Sequence, residues 1–277
     1  MTSIGKKIRM ERIFDRISKN TIIVPMIHST GAGLISGTID MSKAVDKAAR
    51  SGANAVVIHK GEVANGHRGR GKDVGLIVHM SSSTRFSDSA DDTAIVCSVK
   101  EAVSLGADAV SIQIQLEKGK VKKVLEEFTA IVDQSNEYGM PLMAMVSLCG
   151  SKNEKGKDFD AENMALCAQA AYELGVDIVN VNYTGSSETF KQVVSACKVP
   201  VLIADGPKMN SEKEILEMVE GAMMAGAAGI SVGTNLIQHD DLTTIIGKMS
   251  KIVHKGAHVG NFYPEKEGGK RSFWEDK

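Results

Sequence analysis

The chain has 277 residues, 43% of them hydrophobic, 24% charged and 4% aromatic. With 33 basic against 34 acidic residues the net charge is −1, so no bulk electrostatic drive exists towards nucleic acid or an anionic membrane. Gly 27 against Pro 5 excludes collagen-like and Pro-rich disordered classes.

In chain order, the start MTSIGKKIRMERIF alternates charged with apolar residues and has no apolar core of a secretory leader. Residues 4–18 read as an amphipathic helix ahead of the first strand, placed to plug the N-terminal face of a barrel. Two uncharged 19-residue stretches, 21–39 and 221–239, are broken by Gly, Ser, Thr and Asn, so neither reads as a membrane span. The four Cys at 97, 149, 167 and 197 form no CxxC pair and read as reduced thiols of a soluble, cytoplasmic protein.

One pattern then recurs four times: SGANAVVIHKG (51–61), LGADAVSIQIQ (105–115), LGVDIVNVNYT (174–184) and AGAAGISVGTN (225–235). In each, a helical stretch stops at Gly52, Gly106, Gly175 or Gly226 and a β-rich run follows, as when a left-handed C′ glycine feeds a buried strand. Four more apolar runs fall between them, at 21–29, 75–83, 141–149 and 199–207. None of the eight alternates cleanly, the mark of parallel strands buried on both faces. Helical periodicity fills the gaps, notably at 39–51, 117–138, 160–174, 187–196, 211–225 and 241–254.

Eight βα units of about 35 residues predict an α/β protein with a (βα)8 TIM barrel, one domain over 1–255, and a short tail over 256–277. A doubly wound open sheet is the alternative, but it usually has fewer units and a glycine-rich fingerprint after its first strand. The tail carries Phe262, Tyr263, Phe273 and Trp274, and reads as a surface tail or as an oligomer contact or lid.

In this architecture chemistry sits at the C-terminal ends of the strands. That rule nominates His28, His59-Lys60-Gly61, the basic loop GHRGRGKD (66–73), His79 and Ser147 with Cys149. From the last three strands it adds Asn180 to Thr184, Asp205 to Lys208, and Gly233-Thr234-Asn235. Each also has a bland reading. A strand-end His is often a hydrogen-bonded structural residue, and Lys60 an ion-pair partner rather than a Schiff-base amine. Cys97, Cys167 and Cys197 fall in helical stretches and read as packing residues. No HxH, HExxH or carboxylate cluster argues for a metal, and no cofactor is expected.

The segments GKKIRMERIF, IIVPMIHS, GANAVVIHKG, GHRGRGKDVGLIVHMSSST, VNYTG, ADGPKM, AGAAGISVG and NLIQHDD carry a resemblance. Over roughly residues 4–255 the chain resembles the archaeal-type class I fructose-bisphosphate aldolases and 2-amino-3,7-dideoxy-D-threo-hept-6-ulosonate synthases. The resemblance implies a metal-free (βα)8 enzyme that assembles into homo-oligomers and performs aldol or transaldol chemistry. It also implies a strand-six Lys forming a Schiff base with a ketose phosphate, an Asp on strand one and a Tyr on strand five moving protons, and an Arg holding the phosphate.

Against that pattern, the Asp is Ile27 and the neighbouring His is kept as His28. The Tyr is Ser147, the Schiff-base Lys is Asn180, the phosphate turn reads Asp205-Gly206-Pro207-Lys208, and the Arg is Thr234. An amide nitrogen is delocalised into its carbonyl and forms no imine, so residue 180 cannot run the standard mechanism.

The expected function is therefore that of an aldolase-family enzyme with a diverged site, acting on a carbonyl-containing, sugar-like metabolite. Its expected catalytic residues are His28, Lys60 and Asp205. Ser147, Asn180, Tyr183, Gly206, Lys208, Gly233 and Thr234 would bind substrate. The competing readings are a catalytically silent, metabolite-binding or complex-forming homologue, and an imine enzyme with a relocated Lys.

Overall fold

A computed structural model describes residues 3–27, 40–66, 73–83, 93–116, 121–148, 160–204, 209, 211–233 and 241–263. Eight parallel strands close into the expected barrel: β1 (Thr21–Pro25), β2 (Ala55–His59), β3 (Gly75–His79), β4 (Ala109–Leu116), β5 (Leu142–Leu148), β6 (Ile178–Val181), β7 (Val201–Ile203) and β8 (Gly229–Ser231). Each lies beside its chain neighbours, and β8 closes on β1 through the pairs Thr21–Gly229, Ile22–Ile230 and Ile23–Ser231.

The helices are α1 (Ile4–Ile13), α2 (Met41–Ser51), α3 (Val99–Ser104), α4 (Val121–Glu137), α5 (Ala161–Glu173), α6 (Ser187–Ser195), α7 (Glu212–Met224) and α8 (Leu242–Lys255). Serines or aspartates accept the first-turn N–H groups of most of them: Asp40 for α2, Ser98 for α3, Asp160 for α5, Ser186 for α6, Ser211 for α7 and Asp241 for α8. No helix among the described residues is long and apolar enough to cross a membrane.

The core has two layers, set by the period-two alternation of strand side chains. Ile23, Val57, Ile77, Ala109, Met143, Met145, Ile178 and Leu202 meet inside the barrel, while their neighbours Ile22, Val56, Val78, Val110, Val179 and Ile203 pack outward with the helices. At this level β1 to β7 are therefore apolar on both faces, as their sequences predict, whereas β8, Gly-Ile-Ser, is apolar only on its outward face.

The repeated glycines do what their position requires: Gly52, Gly106, Gly175 and Gly226 have φ of 107°, 79°, 102° and 95°. Two residues beyond the first three, a short polar side chain reaches back to the preceding strand. Asn54 Oδ1 accepts the Ile22 N–H at 2.8 Å, and Asp108 Oδ2 accepts that of Leu76 at 2.9 Å. Asp177 Oδ2 accepts the Leu142 N–H at 2.9 Å. The same carboxylates anchor α1 across the barrel base, Asp177 through Lys6 Nζ at 2.7 Å and Asp108 through Arg12.

The helix expected over 4–18 ends at Ile13. Asp15 Oδ1 accepts the N–H groups of Ile17 and Ser18 at 2.9 and 2.8 Å, and Lys19 takes a left-handed φ of 62°. That local turn outcompetes another helical turn. The strand expected over 75–83 also breaks: β3 stops at His79, and Ser81–Ser82 pairs with Ala94–Ile95 in a small antiparallel ribbon. Between β2 and β3 the described residues hold one α-helical turn, Val63–Gly66. Of the aromatic tail, Phe262 and Tyr263 pack on the core, and Tyr263 donates to Glu212 Oε1 at 2.5 Å beneath Lys248. Phe273 and Trp274 lie outside the described residues.

The base contacts differ in what they contribute. Lys6 is 4% exposed, so Asp177→Ala strands a buried cation and is expected to cost about 3–5 kcal/mol in denaturant unfolding. Arg50→Ala breaks the exposed Arg50–Asp46 pair and should cost under about 1 kcal/mol. Equal losses in the two variants would remove the base pair from its anchoring role.

Candidate active site

A cavity of about 190 Å³ opens at the C-terminal end of the barrel. Pro25 and Ile27 line it from β1 and beyond, Gln113 from β4, Met145 and Ser147 from β5, and Asn180 and Asn182 from β6 and its extension. Ala204 follows β7, and Ser231 and Gly233 complete the wall. A larger cavity of about 310 Å³ lies outside the barrel beside Cys97, Glu101 and Ile131. Its size does not make it the site, because apart from Met80 its lining comes from the ribbon, α3 and α4 outside the barrel, and the Cys97 thiol is pushed up to about 11 by burial and then by Glu101. A thiol so protonated at neutral pH is no nucleophile.

The inward alternation of each strand builds the mouth. Met143 and Met145 on β5 are followed at the same parity by Ser147, Ile178 on β6 by Asn180 and Asn182, and Ala109 on β4 by Ser111 and Gln113. Gln113 Nε2 donates to Ser147 Oγ at 2.9 Å, which leaves the Ser147 hydroxyl hydrogen to point elsewhere. Behind Gln113, its backbone N–H donates to Ser81 Oγ at 2.8 Å, and Ser81 Oγ lies 3.1 Å from His79 Nε2. His79 Nδ1 meets Ser111 Oγ at 2.9 Å. The His79 ring stands edge-on to His59, centroids 5.4 Å apart. A hydrogen-bonded chain thus runs around the inside wall from β3 to β5.

Burial holds the His59 imidazole below the usual histidine range, against the opposing pull of hydrogen bonds to the Ile27 and His79 backbones. Asn180 and Ser231 are buried, and neither Asn180 Oδ1 nor Ser231 Oγ has a hydrogen-bond partner. Among the described residues no group of three or more His, Cys, Asp or Glu comes together to hold a metal.

The structure brings together Ser147, Asn180 and Gly233, three of the residues expected from sequence, and sets Ile27 beside them. It takes two others elsewhere. Lys60 follows the inward-facing His59 and turns outward, where Nζ reaches the Glu101 carboxylate oxygens at 3.1 and 3.2 Å. Tyr183 follows Asn182 and packs behind the strand, its ring 5.4 Å from that of Phe190 and its hydroxyl against Gly221. Burial, with Glu188 second, pushes that hydroxyl up to about 12, so it stays protonated at neutral pH. His28, Cys149, Asp205, Gly206, Lys208 and Thr234 lie outside the described residues.

Gln113 and Ser231 line the mouth without having been singled out. Gln113 had a signal: in AVSIQIQL every second residue from Ser111 onward is polar within an otherwise apolar run.

Because the folded chain resists protonation of His59, stability should fall as the pH drops below about 6.5, where the unfolded chain takes up the proton. His59→Gln should flatten that part of a stability–pH profile measured by chemical unfolding. An unchanged slope would place the proton uptake on another group.

A model described as the DeoC/LacD family aldolase matches residues 21–239. The chain is 35% identical over 256 residues to 2-amino-3,7-dideoxy-D-threo-hept-6-ulosonate synthase 1 of Archaeoglobus fulgidus, covering 92% of this chain and 94% of that protein. It is 34% identical over 209 residues to the class 1 fructose-bisphosphate aldolase of Thermoproteus tenax, covering 74% and 77%. Among solved structures, it is similar to an archaeal fructose-1,6-bisphosphate aldolase whose catalytic Lys is covalently bound to the carbinolamine intermediate of the substrate. There the TM-score is 0.81 and the identity 31%, over 90% of this chain and 99% of that one. This chain is a member of the DeoC/LacD aldolase family.

Proposed function

We propose that this aldolase-family barrel binds a small carbonyl-containing, sugar-like or amino-sugar-like metabolite in its mouth and acts on it without an imine on β6. One observation carries the reading: Asn180, a buried carboxamide, lines the cavity at the position where the resemblance expects the Schiff-base Lys. An amide nitrogen has its lone pair delocalised into the carbonyl and does not attack a ketone. Lys60, the replacement amine suggested by sequence, is held by Glu101 away from the cavity.

What the mouth offers instead is hydrogen bonding. Gln113 orders Ser147, whose hydroxyl is then available to a substrate oxygen, and Asn180 and Asn182 add carboxamides. His28 remains the candidate acid or base, and Asp205 the candidate partner for a cationic or hydroxylated group. An aspartate at 205 also disfavours a phosphate there, since two like charges 4 Å apart repel by about 4 kcal/mol at an effective dielectric of about 20. The ordinary ketose phosphates of the family are thus poor substrates under this proposal. A silent, metabolite-binding homologue is the second reading, and it is favoured by the uncharged character of all the described lining side chains.

Borohydride trapping with a panel of ketoses, followed by mass spectrometry, tests the imine-free proposal. No reduced adduct is expected on any lysine; one on Lys60 or Lys208 would overturn it. His28→Ala and Asp205→Ala should each abolish turnover with the fold intact. Full activity in both would remove them from the chemistry, and inertness of the parent chain towards the whole panel would leave the binding homologue.

A further inference from the structure

Two buried polar atoms in the mouth have no partner. Asn180 is 3% exposed and Ser231 is 2% exposed, yet Asn180 Oδ1 and Ser231 Oγ make no hydrogen bond, and both residues line the cavity. An unsatisfied buried polar atom costs about 1–3 kcal/mol, and native chains keep few of them. Elsewhere inside this barrel the polar groups are well served: His79 has a hydroxyl on each ring nitrogen, and Ser81 accepts from the Gln113 backbone. The orphans fall on the opposite wall, on β6 and β8.

Between them lies Ala204, after β7, which leaves room for a ligand, and Pro25, Ile27 and Met145 supply an apolar surface. No described side chain lining the cavity carries a charge, so a charged group seated there would be desolvated without a described counter-charge. A hydroxyl suits each orphan, because it can donate to Asn180 Oδ1 and can donate to or accept from Ser231 Oγ. Its carbon skeleton then lies on the apolar side.

We infer that the mouth is a polyol-recognition site, in which the Asn180 carboxamide and the Ser231 hydroxyl each take one hydroxyl of a small uncharged ligand. This rests on the reading that the mouth binds a metabolite, and it sharpens it: β6 grips a hydroxyl-bearing carbon rather than the carbonyl. Asn180 and Ser231 are specificity-determining residues, and the ligand carries at least two hydroxyls and no phosphate at this end.

The test is a ligand-observed NMR titration of the full chain with erythritol, with erythrulose, which replaces one hydroxyl by a carbonyl, and with erythrose 4-phosphate. Erythritol and erythrulose are expected to bind with Kd values within about threefold of each other, and the phosphate ester at least tenfold more weakly. Asn180→Leu and Ser231→Ala should each weaken erythritol binding by about tenfold. Without ligand, Asn180→Leu should raise Tm, because it removes an orphan acceptor; a purely structural Asn would lower it.

Binding of erythrulose without erythritol would overturn the polyol inference and leave the carbonyl-substrate proposal standing. Binding unaffected by Ser231→Ala, a change small enough to preserve the fold, would overturn it as well. So would silence from both uncharged probes, whereas the imine-free proposal is decided separately by the borohydride adducts.

Discussion

Closure of β8 on β1 is the constraint on which the rest of this barrel depends, and at its base it rests on backbone alone. At the first three repeats a side chain, Asn54, Asp108 or Asp177, captures a backbone N–H of the preceding strand. At the fourth, Ala228 has no such side chain, and the Thr21 N–H donates to its backbone carbonyl at 3.0 Å. The strands approach so closely that a Cβ on Gly229, at φ 137°, would stand 2.0 Å from the Thr21 carbonyl oxygen. Only glycine fits that seam. The Thr21 hydroxyl donates to the Ile13 carbonyl at 2.7 Å, which ties the end of α1 to the same point.

Once the barrel is closed, the parity of each strand decides what reaches the mouth. The lower inward layers are apolar, with Ile23, Val57, Ile77, Met143 and Ile178. The upper ones turn polar at His59, His79, Ser111, Gln113, Ser147 and Asn180. A one-residue change of parity excludes a side chain however close it stands in sequence, which is why Lys60 and Tyr183 leave the site while Asn182 lines it and His59 turns inward beside His79. Tyr183 then serves the outer layer, packed with Phe190 between β6 and its helices.

The barrel was legible in sequence because its strands are continuous apolar runs and its repeated glycines mark where helices stop. Strand ends were less legible. Apolar composition continues through Met80, but Met80 makes the last ladder bond, its N–H donating to the Ser111 carbonyl, while its own carbonyl accepts from Val96 and the chain passes into the ribbon. The end of α1 was hidden for a related reason: Asp15 and Ser18 belong to an amphipathic pattern, yet their local hydrogen bonds make a turn. For the site, position at a strand end identified Ser147, Asn180 and Gly233, but position alone says nothing about direction. Counting residues from the inward members of each strand separates Lys60 from His59, and finds Gln113.

Among the described residues, the ion pairs that hold α1 gather at the base of the barrel. At the described base, cations and anions are paired across α1 and the loops, with Lys6 on Asp177 and Arg12 on Asp108 and Asp73. At the mouth the described lining is uncharged. An amine buried at 180 would need its charge suppressed or paired, since burial disfavours the ammonium form. A carboxamide there needs only a hydrogen-bond partner. Under the proposed function, a carboxamide at 180 makes a smaller electrostatic demand on the mouth than an amine would and leaves a hydrogen bond to be completed from the cavity.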